Sequence, residues 1–96
     1  MDEDEARELL DSALSPLRSV HYDDLVRRFV DSNEPEVTEI RGSSGVTYQI
    51  EVEGFWDDKR TGNVRVVAMI DDGGWRAVKP LTEAFIKAPD GSFVGE

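Results

Sequence analysis

The sequence predicts an α+β domain in which two N-terminal helices pack on one face of an antiparallel, meander-like β-sheet of about four to six strands. The first third places apolar residues at a helical period, and the remainder alternates apolar and polar residues as half-buried strands do. Clusters of Gly, Pro, Asp and Ser separate the alternating segments, as is typical of turns. We expect one domain over residues 1–96, with a helical part at 1–33 and the sheet at 36–96.

The first helix is predicted over residues 3–14. Asp2 precedes it and Glu5 follows three residues later, which is the spacing of the capping boxes that begin helices. Pro16 disfavours helical geometry at Ser15 and should end the helix there. Its apolar stripe consists of Ala6, Leu9, Leu10, Ala13, Leu14 and Leu17.

A second helix is predicted over about residues 20–31, with Ser19 as its N-cap and the segment DSNEP as its end. Its apolar stripe consists of Tyr22, Leu25, Val26, Phe29 and Val30. Both stripes are interpreted as core packing rather than as a partner-binding groove, because an amphipathic helix on a sheet buries its apolar side.

Residues 46–53 form the clearest predicted strand, since Val, Tyr, Ile and Val alternate there with polar residues. Residues 64–70 alternate in the same way, and residues 36–41 form a weaker strand that returns through the hairpin loop RGSSG. Residues 75–79 are predicted as a further strand. Gly54 interrupts the alternation and predicts a bulge or bend.

The C-terminal segment FIKAPDGSFVGE predicts a strand, a turn at its Pro-Asp-Gly and a second short strand. In the preceding hairpin, Ile70 is expected to face Trp75 across the turn DDGG, so that Ala68 faces Ala77 on the inner face. The other face mixes apolar and charged residues and is predicted as a partner surface. Its members are Arg65, Val67, Met69, Arg76 and Val78.

A small-ligand pocket between helices and sheet is the alternative prediction. The small side chains of Ala68 and Ala77 would leave a hollow with Trp75 at its rim, although core packing also explains an aromatic residue there. The residues predicted to line this pocket are Tyr22, Phe29, Tyr48 and Trp75.

Two aspartate pairs, Asp57-Asp58 and Asp71-Asp72, lie at the ends of the apolar run in WDDKRTGNVRVVAMIDDGGW. An extended strand between them would separate the pairs by about 30 Å, so they cannot bind one metal ion or act on one substrate atom. Gly and Asp are also the residues that tight turns require. We interpret both pairs as turns and predict no metal site.

No catalytic constellation is recognisable in the sequence. His21 is the only histidine, Cys is absent, and no serine lies in a GxSxG pattern. The segment GSSG lacks the lysine of a phosphate-binding loop. The sequence therefore favours a protein that is not an enzyme and has no cofactor, and an enzyme that uses Asp57 or Asp71 as acid or base is the third hypothesis.

The charge is strongly acidic, with 21 Asp and Glu against 11 Lys and Arg and a formal net charge of -10. Residues 1–36 hold 11 of the acids and only 4 of the bases. Such a field repels nucleic acid and suits a basic partner, although adaptation to high salt would explain it too. No signal peptide or membrane span is indicated, which favours a cytoplasmic protein.

The order of elements, helices followed by a curved antiparallel sheet, is similar to cystatin-like and NTF2-like folds. The resemblance is architectural and implies no functional residue. The leading hypothesis is a small acidic interaction module that binds a protein partner, or forms a homodimer, through its mixed sheet face or its acidic helices. A small-ligand-binding domain is the alternative.

Overall fold

The computed structural model describes residues 2–73 and 80–96, in which two helical segments precede a four-stranded antiparallel sheet. The predicted α+β class is confirmed. Helix α1 spans Glu3–Leu14, a 3₁₀-helix spans Ser15–Ser19, helix α2 spans Tyr22–Leu25, and a π-helix spans Val26–Asp31. The strands are β1, Glu36–Arg41, β2, Thr47–Trp56, β3, Val64–Asp71, and β4, Leu81–Lys87.

Helix α1 has the predicted bounds, and Asp2 caps it by accepting a hydrogen bond from the N–H of Glu5 at 3.1 Å. The carboxylate of Glu5 is used elsewhere. It accepts hydrogen bonds from Ser43 and Ser44 in the β1–β2 loop. Gly42 leaves space for this carboxylate, because a Cβ at that position would overlap it. The first turn of α1 thus holds the β1–β2 loop in place.

The chain changes its helical geometry at Pro16, which lies at the start of the 3₁₀-helix. The N–H of Val20 donates to the carbonyl of Leu17 at 3.1 Å and closes this helix. Ser19 therefore belongs to the 3₁₀-helix, and His21 is the residue that precedes α2, without a side-chain cap. The prediction of Ser19 as an N-cap was wrong because the turn after proline uses this residue.

The π-helix packs Phe29 directly against strand β2 at Gly54. Phe29 is 2% exposed, and a Cβ on Gly54 would lie 2.6 Å from the Cβ of Phe29. The β2–β3 pairing continues without interruption through Gly54–Val66 to Trp56–Val64. Gly54 thus allows a close approach, and the expected bulge does not occur.

The inner face of the sheet packs against the helices around one core. Side chains of β2 and β3 alternate between buried positions on this face and more exposed positions on the other. The strand order is β1-β2-β3-β4, so every connection is a hairpin. The largest fully buried side chains are Tyr48, Phe29, Leu10, Leu25, Ile70, Val64 and Val66.

The register between β3 and β4 differs from the prediction. Ile70 pairs with Leu81, so the proposed pairing of Ile70 with Trp75 was wrong. This register places Phe85 on the inner face opposite Val66, where Phe85 joins the core. Burial of Phe85 favours this register, whereas the residues DDGG considered locally favour a tight hairpin. The predicted strand at 75–79 lies outside the described residues.

The C-terminal segment turns back beside β4 at the predicted turn but forms an isolated bridge there instead of the predicted second short strand. A turn with Gly91 at φ +90° follows β4, and Phe93 then pairs with Lys87 in an isolated bridge. The guanidinium of Arg18 lies 4.1 Å from the centre of the Phe93 ring and forms an ion pair with Glu96. These contacts attach the C-terminal segment to the 3₁₀-helix.

Candidate functional site

The side of the sheet opposite the helices carries three of the five predicted partner-face residues. Arg65, Val67 and Met69 lie on β3 at half-buried positions that alternate with buried ones. Arg76 and Val78 lie outside the described residues. We call this surface the outer face. It comprises the odd-numbered residues of β1, β2 and β3 and the even-numbered residues of β4.

The centre of the outer face is apolar and is bordered by carboxylates. Met69 pairs with Glu51 of β2, and Val67 pairs with Glu53. On the other side, Ala84 of β4 lies beside Val67. Within the described part of the chain, Glu51 and Glu53 form no ion pair. The apolar centre therefore has a net negative border.

Three further apolar residues of this side are strongly exposed and were not among the predicted partner-face residues. They are Val37, 54% exposed, Phe55, 43% exposed, and Val94, 39% exposed. Val94 lies beside Ile86, an outer-face residue of β4, because the neighbouring Phe93 pairs with Lys87 and the N–H of Val94 donates to the carbonyl of Ile86. Val37 and Phe55 lie on the same side of the sheet as Val67, because successive side chains of a strand point to opposite faces. Counting every second residue along each strand could therefore have identified them.

Arg65 is neutralised by a carboxylate at the end of β2. Its Nε donates to Oδ1 of Asp57 at 2.8 Å, and a terminal nitrogen lies 2.7 Å from the same oxygen. The Asp57 side chain is 19% exposed, so this pair is shielded from water more than most surface pairs. Arg65 thus adds little positive charge to the outer face.

The residues predicted for a ligand pocket are mostly core residues. Phe29 and Tyr48 are buried in the core. Burial raises the pKa of the Tyr48 phenol, and the hydrogen bond and negative charge of Glu5 raise it further. The hydroxyl of Tyr22 donates to the carbonyl of Gly62 at 2.6 Å and fastens the β2–β3 loop to α2. Trp75 lies outside the described residues.

A half-open groove of about 340 Å³ lies between α1, the 3₁₀-helix and the inner side of β1 and β2. Its volume falls in the range of small-molecule sites, and its floor and walls are mainly aliphatic. One end is closed by Arg28, whose guanidinium donates two hydrogen bonds to the Glu36 carboxylate at 2.5 and 2.7 Å. The aliphatic residues are Leu9, Ala13, Leu17, Ile40, Ile50 and Val52.

A polar cleft of about 440 Å³ contains His21, Asp23, Asp90 and the buried Lys87. The ammonium group of Lys87 donates to the carbonyls of Arg18 and Val20 at 2.8 and 2.7 Å. Through these hydrogen bonds, Lys87 holds the end of the 3₁₀-helix against β4. The exposed His21 lies at the cleft without a described hydrogen bond to a carboxylate, so the described contacts assemble no acid–base pair around it.

The described aspartates at the ends of β3 have structural contacts. Oδ1 of Asp58 accepts from the N–H of Lys59 at 2.8 Å and of Asn63 at 3.2 Å. Oδ1 of Asp71 accepts from the N–H of Gly73 at 2.8 Å. Both contacts are of the kind that stabilises turns. Within residues 2–73 and 80–96, no three His, Asp or Glu side chains are grouped to hold a metal ion.

Among the described residues, no helix has the length and apolar character needed to cross a membrane. Comparison of the chain with protein-family models, with curated proteins and with solved structures gives no match. We therefore infer the function from the residues of the chain itself.

Proposed function

We propose that the protein is a non-enzymatic interaction module that binds a basic protein partner through the outer face of its sheet. The observation that carries this proposal is the open apolar surface opposite the helices, which includes the exposed side chains of Val37 and Phe55. Val37 and Phe55 lie on the same side of the sheet as the half-buried Val67 and Met69, and contiguous apolar surface of this kind is typical of interaction sites.

The charges around this surface favour a partner of opposite sign. Glu51 and Glu53 border the apolar centre, while Arg65 is neutralised by Asp57. A partner that presents apolar side chains flanked by Lys or Arg would match both features. Charge complementarity of this kind sets specificity and the association rate more than raw affinity.

The net charge of -10 supports a basic partner over a second copy of the chain. Two identical acidic molecules repel each other before contact, whereas a basic partner is attracted over a distance of about one Debye length. The exposed acids at the start of α1, Glu3 and Asp4 among them, strengthen this field. In this proposal the acidic helices accelerate encounter and the outer face makes the contact.

A non-enzymatic role is supported by how the candidate catalytic groups are used. Asp57 binds Arg65, and the described contacts of Asp58 and Asp71 stabilise turns. The alternative, a small-ligand domain, is supported by the groove beside α1, but that groove opens along β1 and does not enclose a ligand. The cystatin-like or NTF2-like order of elements supplies no argument for either function, since fold alone does not imply function.

The test compares the wild type with Met69→Glu, which places a third carboxylate in the centre of the outer face. We expect Met69→Glu to weaken partner binding at least about tenfold, because it buries an unpaired charge in an apolar contact. The partner would be isolated with the immobilised wild-type protein and then titrated in purified form against each variant.

Ser15→Glu is the matched control, because it adds the same charge at an exposed position on the helical side. Urea denaturation of both variants would establish that neither loses its fold. Equal weakening by both substitutions would mean that only net charge matters, and undiminished binding by Met69→Glu would refute the outer face as the contact surface.

A further inference from the structure

Strand β1 forms an open edge of the sheet beside the half-open groove. In the part of the chain that the structure describes, β1 pairs only with β2, whereas the far edge at β4 is partly covered by Phe93. An uncovered edge strand presents main-chain N–H and C=O groups that can pair with another chain. The odd-numbered side chains of β1 belong to the outer face, whereas the main-chain groups of its free edge and the groove on its inner side do not. The inference below does not depend on the proposed function.

The hydrogen-bonding pattern of the β1–β2 hairpin shows which main-chain N–H and C=O groups of β1 point away from β2. The N–H of Gly42 donates to the carbonyl of Val46 at 2.8 Å, at the loop end of the β1–β2 pair. In an antiparallel pair, hydrogen-bonded positions recur at every second residue. The even-numbered residues of β1 therefore bond to β2, and the N–H and C=O groups of Val37, Glu39 and Arg41 point toward the free edge.

The same strand forms one wall of the groove. Thr38 and Ile40 lie on the inner side of β1, and Leu9 and Ala13 of α1 lie across from them. Leu9, Ala13 and Ile40 are only half-buried, so apolar side chains placed against them would bury further surface. A strand added to β1 would direct every second side chain into this space.

We propose that β1 and the groove together bind an extended peptide segment of a partner protein, which adds to the sheet as a fifth, antiparallel strand. Two apolar side chains of the segment, at positions i and i+2, enter the groove opposite Thr38 and Ile40. The side chain between them lies on the outer side, opposite Glu39, where a lysine or arginine fits best. Main-chain pairing supplies affinity and the alternating side chains supply specificity, as in other strand additions.

The charges of the edge favour this occupant over a second copy. Glu39 lies at the middle of β1, and a second β1 paired around it would bring acidic chains together at a net charge of -10 each. Pro35 and the charged residues also restrict indiscriminate edge-to-edge pairing. A segment in which apolar and basic residues alternate can pair with the main-chain groups of the edge without this charge repulsion.

The probe is a synthetic ten-residue peptide in which valine and lysine alternate, and its control has the same composition with all valines preceding all lysines. Both would be titrated into the ¹⁵N-labelled full chain and followed by NMR. We expect the alternating peptide to bind at least about tenfold more tightly than the control and to shift the amides of Val37, Glu39 and Arg41. Equal affinities, or shifts confined to the acidic start of α1, would reduce the effect to charge attraction and overturn the proposal.

Two variants test the two halves of the site. Glu39→Pro removes one outward N–H without breaking the bonds to β2 and should abolish binding, whereas Glu39→Gln keeps the N–H and should only weaken binding. Ala13→Leu fills the groove and leaves the edge intact, so it should weaken binding at least about fivefold. This second variant tests the site independently of whether Glu39→Pro folds. Unchanged affinity in Glu39→Pro or in Ala13→Leu would overturn the proposal.

The peptide should bind the Met69→Glu variant as tightly as the wild type, because Met69 lies on β3 and is separated from the free edge of β1 by strand β2. A loss of peptide binding in Met69→Glu would assign the peptide to the outer face and overturn the edge site. Failure of the edge site and failure of the outer face are therefore distinguishable.

Discussion

The two faces of the sheet are built from the same strands but differ in what covers their apolar side chains. On the inner face, helical residues such as Phe29 and Leu10 pack over the middle of the sheet, where the inner side chains of β2 and β3 are buried. On the outer face, Val37, opposite Glu51, and Phe55, opposite Arg65, remain exposed. Apolar content alone thus does not separate core from surface in this protein. Coverage by the helices does, and stability should depend on one face and binding on the other.

The largest expected effect contrasts two phenylalanines on opposite faces. Phe29→Ala should reduce the free energy of unfolding by about 3 to 5 kcal/mol, because it removes a buried ring from the core. Phe55→Ala should reduce it by less than about 1 kcal/mol, because that ring is 43% exposed. Urea denaturation measures both values. Similar losses from the two substitutions would show that the outer face also contributes to the core.

A second prediction concerns the contact that brings the π-helix onto the sheet. Gly54→Ala should destabilise the fold by about 1 to 3 kcal/mol, because the new Cβ would lie 2.6 Å from the Cβ of Phe29. In an open strand the same substitution would be neutral or stabilising, since it reduces the entropy of the unfolded chain. The sign of the change in the denaturation midpoint therefore decides whether the close approach is required.

A third prediction concerns the buried lysine at the end of the inner face. Lys87→Met should cost about 1 to 3 kcal/mol, because the carbonyls of Arg18 and Val20 lose their donor. Lys59→Met is the control, since Lys59 is exposed in the β2–β3 loop, and it should change stability by less than about 0.5 kcal/mol. Thermal unfolding of the pair measures the difference. Equal stability would mean that water replaces the ammonium group at little cost.

Local sequence patterns predicted much of the fold because several elements are determined by neighbouring residues. The apolar stripe and Asp2 define α1, and strict alternation defines β2 and β3. The β3–β4 register was missed because DDGG is compatible with a tight turn, while the observed pairing depends on the distant burial of Phe85. The π-helix was missed for a related reason, since its contact with Gly54 joins residues far apart in the chain.

The candidate surfaces were predictable only in part. Val67 and Met69 follow from alternation along one strand, which a sequence displays directly. The groove requires the position of α1 relative to β1, and no local pattern near Ala13 or Ile40 contains that information. The free edge of β1 likewise depends on which strands the complete sheet places beside it.

The smallest predicted effect is a pH dependence that distinguishes the loop anchored by α1 from the outer face. Hydrogen bonds from the side chain and then the backbone of Ser44 lower the pKa of Glu5 from 4.5 to about 2. Because the folded-state pKa is lower than the unfolded one, the ionised carboxylate stabilises the fold above about pH 4.5, and this contribution is lost as the pH falls toward 2. Glu5→Gln should therefore be less stable than the wild type near neutral pH, and the difference should shrink between pH 4.5 and 2. Denaturation midpoints across this range would measure it, with Glu8→Gln as the control for removing one exposed charge from the same helix. Protonation of Glu36 and of other carboxyls with a lowered pKa destabilises the wild type and Glu5→Gln alike, so it cancels in the difference in stability between them. A difference that stays constant with pH would mean that Ser43 and Ser44 do not stabilise the ionised carboxylate.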